Sequence, residues 1–175
     1  SKPKMKVVPR LVPQWLVNLW NKHFKMKIKR QRLFDIWNYV PKTDETRVQV
    51  LGGLVHANAG KKFYVTEKVD GQSVTYYLKD GVFGVCSRNI DIEYDESNHY
   101  WQSAIKYNIE AIMRKLFIDR NIAMQGELTG RDLQGNKYEL SIQIPFFYDI
   151  WDIDKQEYFS PKEFMGTMIK TETLI

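Results

Sequence analysis

The segment Thr66-Glu67-Lys68-Val69-Asp70-Gly71 sets a lysine among two carboxylates, with a glycine three residues further on that permits a sharp backbone turn. The chemistry open to such a lysine is covalent nucleophilic catalysis, which needs the neutral amine. A free lysine ammonium has a pKa near ~10.4, so deprotonation at pH 7 costs roughly 4 to 5 kcal/mol. Neighbouring carboxylates favour the ammonium, so the offset has to come from cations nearby. The plainer alternative is a solvent lysine at a strand turn.

The lysine is expected at a strand end. Phe63 and Val65 alternate with Tyr64 and Thr66, which predicts a strand leading into Lys68. Residues 74–78 and 82–87 flank Lys79-Asp80-Gly81, an Asp-Gly hairpin, and Arg88 is expected to end its second strand beside the strand carrying Lys68. Ser97 or Asn98 can cap a helix whose apolar stripe runs Trp101, Ile105, Ile109, Ile112 and Leu116 and packs on the sheet. Residues 122–128 and 138–153 read as further strands, with Pro145 at a bulge or edge. Strands, one helix, then strands make an α+β fold.

Upstream, Trp15, Leu16, Leu19, Trp20 and Phe24 recur at helical spacing, followed by a basic strand-like or extended stretch over 25–32. Pro41-Lys42-Thr43-Asp44 reads as a connector, and Gly52, Gly53 and Gly60 as loop punctuation, with a soft boundary near 41. Residues 1–34 hold ten Lys or Arg and no acid, whereas the remainder carries a net charge of −5. A basic arm on an acidic body suits a polyanionic partner, although it also describes a solvated face. With 43% apolar residues the 175-residue chain can bury one main core. No apolar run approaches the ~20 residues of a membrane span, and the N-terminus lacks a secretory apolar segment. Cys86 is the sole cysteine, which excludes an internal disulfide and fits a reducing, intracellular compartment; His23, His56 and His99 are too scattered for a zinc site.

Five segments in order carry a family resemblance: Pro41-Lys42-Thr43-Asp44-Glu45; Glu67-Lys68-Val69-Asp70-Gly71; Cys86-Ser87-Arg88-Asn89; Gln125-Gly126-Glu127-Leu128-Thr129-Gly130; and Phe146-Phe147-Tyr148-Asp149-Ile150. From about Val40 to Pro161 the chain resembles nick-sealing ATP-dependent RNA ligases, covalent nucleotidyltransferases whose signature is lysine-x-Asp-Gly. It is similar both to the branch that seals duplex breaks and to a relative with an added N-terminal OB-like module.

The resemblance implies a nucleotidyltransferase (ATP-grasp-like ligase) fold of antiparallel sheets with packed helices, incomplete at the C-terminus. Residues 41–175 would form a partial nucleotidyltransferase domain, and residues 1–40 a basic segment, the remnant of an OB-like module plus linker. Lys68 would become joined to AMP, which passes to an RNA 5′-phosphate and is displaced by a 3′-hydroxyl, with nicked RNA duplex as the partner. Glu67, Asp70, Gly71, Ser73, Arg88, Asn89, Glu127 and Tyr148 would line the ATP site, Arg88 on ribose or phosphate, Glu127 on the ribose hydroxyl and Tyr148 stacked on adenine. Mg2+ or Mn2+ would be held through water by Asp70 and Glu127 with the ATP phosphates, as hard oxygen ligation of a hydrated ion favours.

There are departures. In Gly130-Arg131-Asp132-Leu133-Gln134, Arg-Asp replaces the Pro-Gly that relatives carry after the glutamate, Tyr148 stands where many have Phe, and neither a Glu-Gly nor a lysine-x-lysine motif follows Tyr148. A DNA ligase or capping guanylyltransferase of the same superfold, or a non-catalytic nucleotide- or RNA-binding fragment, are the competing expectations.

Overall fold

The computed structural model describes residues 35–43 and 46–172. The helix over 15–24, the basic stretch over 25–32 and the character of the 1–40 segment up to residue 34 lie outside the described residues.

The framework is one antiparallel sheet of six strands: β1 (Gln72–Lys79), β2 (Val82–Cys86), β3 (Asp91–Ile92), β4 (Ile122–Thr129), β5 (Ile144–Asp152) and β6 (Glu157–Tyr158), in spatial order β3-β2-β1-β4-β5-β6. Among the described residues four α-helices accompany it: α1 (Gly52–Ala57), α2 (His99–Lys106), α3 (Ile109–Leu116) and α4 (Pro161–Glu172). This is the α+β architecture the sequence predicts.

Alternation along the strands splits the sheet into two faces. On one, Val74, Tyr76, Leu78, Phe83, Val85, Ile122, Met124, Leu128 and Ile150 form the main core with Trp101, Ala104, Ile109 and Met113 of α2 and α3. On the other, Tyr77, Cys86 and Ala123 pack with Ile36, Val40 and Ile153 in a smaller cluster. The second face, less covered, is the one that carries the candidate site.

The Asp-Gly hairpin forms as expected, Lys79 paired with Val82 and both Asp80 (φ 50°) and Gly81 (φ 75°) left-handed, the geometry a two-residue hairpin turn requires. Asn98 caps α2 by accepting from the Tyr100 amide at 3.0 Å. The single helix expected over 101–116 is instead two, because Asn108 adopts φ 49° and breaks the stripe between Lys106 and Ile109. That turns Ile105 outward, 54% exposed, while Trp101, Ile109 and Ile112 stay buried.

Two other expectations give way. Residues 61–70 form no ladder with any described strand, and Phe63, Tyr64 and Val65 are largely exposed. Alternation marks a chain that could be half-buried, but β1 already has β2 and β4 on its two sides. Gly52 and Gly53, expected as loop punctuation, begin a helix instead, α1, whose first turn is closed by the Leu54 amide on the Leu51 carbonyl at 2.8 Å, whereas Gly60 (φ 81°) lies in a turn as expected.

The strand expected over 138–153 begins only at Ile144, because Glu139 (φ 51°) lies in a left-handed conformation incompatible with extension. Pro145 sits on the side of β5 that β6 leaves open, as β6 pairs only with Trp151 and Asp152. The bulge falls elsewhere: Gln125 pairs with Asp149 and Gly126 with Phe147, so Tyr148 is the extra residue. Among the described residues, no helix is long and apolar enough to cross a membrane.

Candidate nucleotide-binding site

The site assembles where three strand ends meet. Ser73 at the start of β1 lies opposite Glu127 of β4, and Glu127 lies opposite Phe146 of β5. The bulge next to them re-aims Tyr148 so that its phenol lies within electrostatic reach of Thr43 and Ser73. Thr43 and Ser73 hydroxyls are 3.4 Å apart, and the preceding Pro41 carbonyl accepts from Gln125 Nε2 at 2.8 Å. The buried Gln125 thereby fixes residues 41–43 against the sheet.

Lys68 does not end a strand; it lies in the irregular segment that leads into β1. What holds its turn is β4. Thr129 Oγ1 donates to the Asp70 carbonyl at 2.9 Å, and the Gly71 amide donates to Glu127 Oε1 at 3.2 Å. Gly71 is required for close approach rather than for a left-handed turn, since a Cβ there would stand 2.4 Å from the Leu128 carbonyl oxygen.

Arg88 lies two residues beyond the end of β2, not on it, in a turn closed by the Ser87 amide on the Ile90 carbonyl at 2.9 Å. It remains within electrostatic reach of Glu127, as do Lys68 and Asp70. Asn89 accepts from Lys42 Nζ at 3.0 Å, which joins this turn to residues 41–43. Glu67 faces away toward Tyr138, whose hydroxyl donates to its Oε1 at 2.9 Å.

Burial pushes the Glu127 carboxyl above the usual carboxylate range, against the opposing pull of the Gly71 amide and Lys68. Burial likewise raises the Tyr148 phenol, against the opposing pull of Thr43 and Ser73. Nearby, His99 Nε2 and the Tyr100 hydroxyl both meet Gln72 Oε1, at 2.9 and 3.1 Å, and burial lowers the His99 pKa.

The arrangement offers a half-exposed aromatic ring, hydroxyls, two basic side chains and a partly buried carboxylate on one sheet end, a set suited to a base, a ribose and phosphates. For a divalent ion the fit is to a hydrated one. Asp70 and Glu127 are close enough to feel each other's charge, and among the described residues no group of three or more His, Cys, Asp or Glu could hold a metal. Water and phosphate oxygens would complete the shell, as magnesium prefers.

Comparison with known proteins fits this set. The RNA ligase family model matches residues 61–174, which contain Lys68, Arg88, Glu127 and Tyr148. The chain belongs to the RNA ligase family. Naegleria gruberi RNA ligase is similar in structure with a TM-score of 0.73, at 37% identity as a lysine-to-methionine mutant with AMP and Mn and as a glutamate-to-alanine mutant with ATP and Mn, and at 38% with PPi. In each case the match covers 77% of this chain and 40% of the other. No curated protein matches. The fold is therefore of the nucleotidyltransferase type found in RNA ligases, and this chain spans about 40% of the length of those it matches.

The structure thus brings Lys68, Asp70, Gly71, Ser73, Arg88, Glu127 and Tyr148 of this RNA ligase family member to one place, with Asn89 tied in through Lys42 and Glu67 turned to Tyr138. Sequence reasoning assigned no role to Lys42, Thr43, Gln125, Lys137 or Tyr138. The signal for Thr43 and Gln125 was present, since both lie in the ordered segments, but their partners are 30 and 84 residues away.

Proposed function

We propose that this chain carries the nucleotide-binding, lysine-adenylylating part of an ATP-dependent RNA ligase. The observation that carries the reading is the convergence of Lys68, Arg88, Glu127 and Tyr148 on one end of the sheet, in a family whose structurally similar member binds ATP, AMP and PPi.

Lys68 Nζ, as the neutral amine, attacks the α-phosphorus of ATP; a phosphorus–nitrogen bond forms, the bond to pyrophosphate breaks, and the lysine proton passes to solvent. A 5′-phosphate oxygen of RNA then attacks that phosphorus, the phosphorus–nitrogen bond breaks and the lysine takes back a proton from solvent; a 3′-hydroxyl attacks the 5′-phosphate of the activated end, AMP leaves and the hydroxyl proton passes to solvent. Tyr148 stacks the adenine, Glu127 accepts from a ribose hydroxyl, and the Ser73 hydroxyl donates to a phosphate oxygen. Arg88 sets positive charge against the phosphates in line with the attacking amine. Mg2+ or Mn2+, when bound, supplies further positive charge for the same oxygens; Asp70 and Glu127 would hold its waters. The basic residues of 1–34 suit the backbone of a nicked RNA duplex, binding that should weaken steeply with salt.

The test is sealing of a nicked RNA duplex bearing 3′-hydroxyl and 5′-phosphate ends, with ATP and Mg2+, beside the equivalent DNA nick and with GTP in place of ATP. RNA sealing or 5′-adenylylated RNA dependent on ATP supports the reading. Binding of RNA without any adenylylated protein or RNA contradicts it.

A further inference from the structure

The two carboxylates flanking Lys68 are both gripped by consecutive residues of one loop. Between β4 and β5 the chain runs through 130–143, and from it Lys137 Nζ pairs with Asp70 Oδ2 at 2.5 Å while the Tyr138 hydroxyl donates to Glu67 Oε1 at 2.9 Å. Two consecutive loop residues therefore hold the side chains on either side of the nucleophile, Tyr138 that of Glu67 and Lys137 that of Asp70.

The loop is built to hold that position. Asn136 donates to the Leu140 carbonyl at 2.9 Å and accepts from the Leu140 amide at 3.0 Å, Gln143 Nε2 donates to the Arg131 carbonyl at 3.0 Å, and Leu133 is buried in the main core. Asp132, Gln134, Asn136 and Glu139 all adopt positive φ, between 42° and 66°. Left-handed Gln and Glu have little local hydrogen bonding to excuse them, and such strain persists where surroundings over-determine it, often at functional sites. The turn, in contrast, needs support. Residues 61–70 have no ladder partner among the described strands, and β4 grips the turn only on the side of the Asp70 carbonyl and the Gly71 amide.

We infer that the 130–143 loop is a strap that positions the lysine nucleophile, with Tyr138 as its principal positioning residue and Lys137 as a secondary one. This rests on the reading of Lys68 as the residue that takes AMP. Tyr138 acts through Glu67, whose side chain it holds, and so limits the movement of the residue next to Lys68 and the line along which Lys68 meets phosphorus. Lys137, 71% exposed and paired with a half-exposed Asp70, contributes less because solvent screens the pair.

The test compares the full chain with Tyr138→Phe, Lys137→Ala and Lys68→Ala in single-turnover adenylylation across ATP concentrations. Hydrogen exchange of the peptide spanning 66–71 and thermal melting accompany it. Tyr138→Phe should lower the maximal rate about 10-fold, since small misplacements of a reacting group are amplified in rate. Its half-saturating ATP should stay within about 2-fold, exchange over 66–71 should quicken, and the melt should not change. Lys137→Ala, a surface change that leaves the core untouched, should slow the rate about 3-fold. Unchanged rate and exchange in Tyr138→Phe, or a raised half-saturating ATP with the maximal rate intact, would overturn the strap while Lys68 still labels. No adduct on the parent chain would instead overturn the reading on which the strap rests.

Discussion

The Gly71 amide donates to Glu127 Oε1 at 3.2 Å, joining the lysine motif to a carboxylate 56 residues further along the chain. This bond does not bring Glu127 back to an ordinary carboxylate. Burial keeps its pKa raised, so the folded protein binds its proton more readily than the unfolded chain does. The sign follows: stability associated with Glu127 falls as pH rises through the raised range, and the charged form burdens the fold at neutral pH. Glu127→Gln, which keeps an acceptor for Gly71, should therefore melt higher than the parent at pH 7. The gap should close as pH drops below the unfolded glutamate value, near ~4.3. Adenylylation should fall at least about 100-fold in the same variant, and melting curves from pH 4 to 7 with adduct formation check both halves.

Gly71 faces a tight backbone. A methyl group would be driven to 2.4 Å from the Leu128 carbonyl oxygen, so Gly71→Ala must push the turn off β4 and break its bond to Glu127. The expected result is a loss of about 2 kcal/mol in denaturant unfolding, together with adenylylation slowed by at least about 10-fold.

Tyr148 separates ring from hydroxyl. The residue is 38% exposed, and its hydroxyl feels Thr43 and Ser73. Tyr148→Phe should leave half-saturating ATP within about 3-fold of the parent. Tyr148→Ala should raise it roughly 10- to 100-fold, because base stacking on an aromatic is worth about 1–3 kcal/mol. Titration of adduct formation against ATP measures this, and equal effects from the two variants would remove the stacking role.

Away from the site, Asp152 anchors the last turn of the sheet. Its Oδ2 accepts from Arg120 at 2.6 Å and its Oδ1 from the amides of Asp154 and Lys155, both at 3.1 Å. Burial works to raise its pKa, but the Arg120 and backbone bonds outweigh it and hold the carboxyl below its ordinary value. A depressed carboxylate contributes stability that is present above the unfolded value and lost as pH falls through the folded one. Asp152→Ala should cost about 2 kcal/mol at pH 7 and progressively less below pH ~4, read from unfolding curves at each pH.

Much of the framework could be read from the chain. Asp80-Gly81 announced the β1–β2 hairpin, Ser97 or Asn98 a helix cap that Asn98 supplies, and residues 122–128 the strand that became β4. What could not be read depends on contacts distant in sequence. Nothing local in Phe63 and Val65 tells that both sides of β1 are already taken, and the bulge at Tyr148 is set by register against Gln125 and Gly126. Asn108 broke the long helix by taking a left-handed conformation that asparagine tolerates but does not require. In the site, the ordered motifs marked Lys68, Arg88, Glu127 and Tyr148, yet the strap was invisible because the Tyr138–Glu67 bond closes a span of 71 residues. The glycine of the lysine motif was legible as a requirement, but its reason lay in the Leu128 carbonyl across the sheet.

The most direct measurement is the intact mass of the full chain before and after incubation with ATP and Mg2+, beside Lys68→Ala. The account predicts a gain of one AMP on the parent chain, mapped by peptide analysis to Lys68, and no gain on the variant. An adduct that persists in Lys68→Ala, or that maps to another residue, would contradict it.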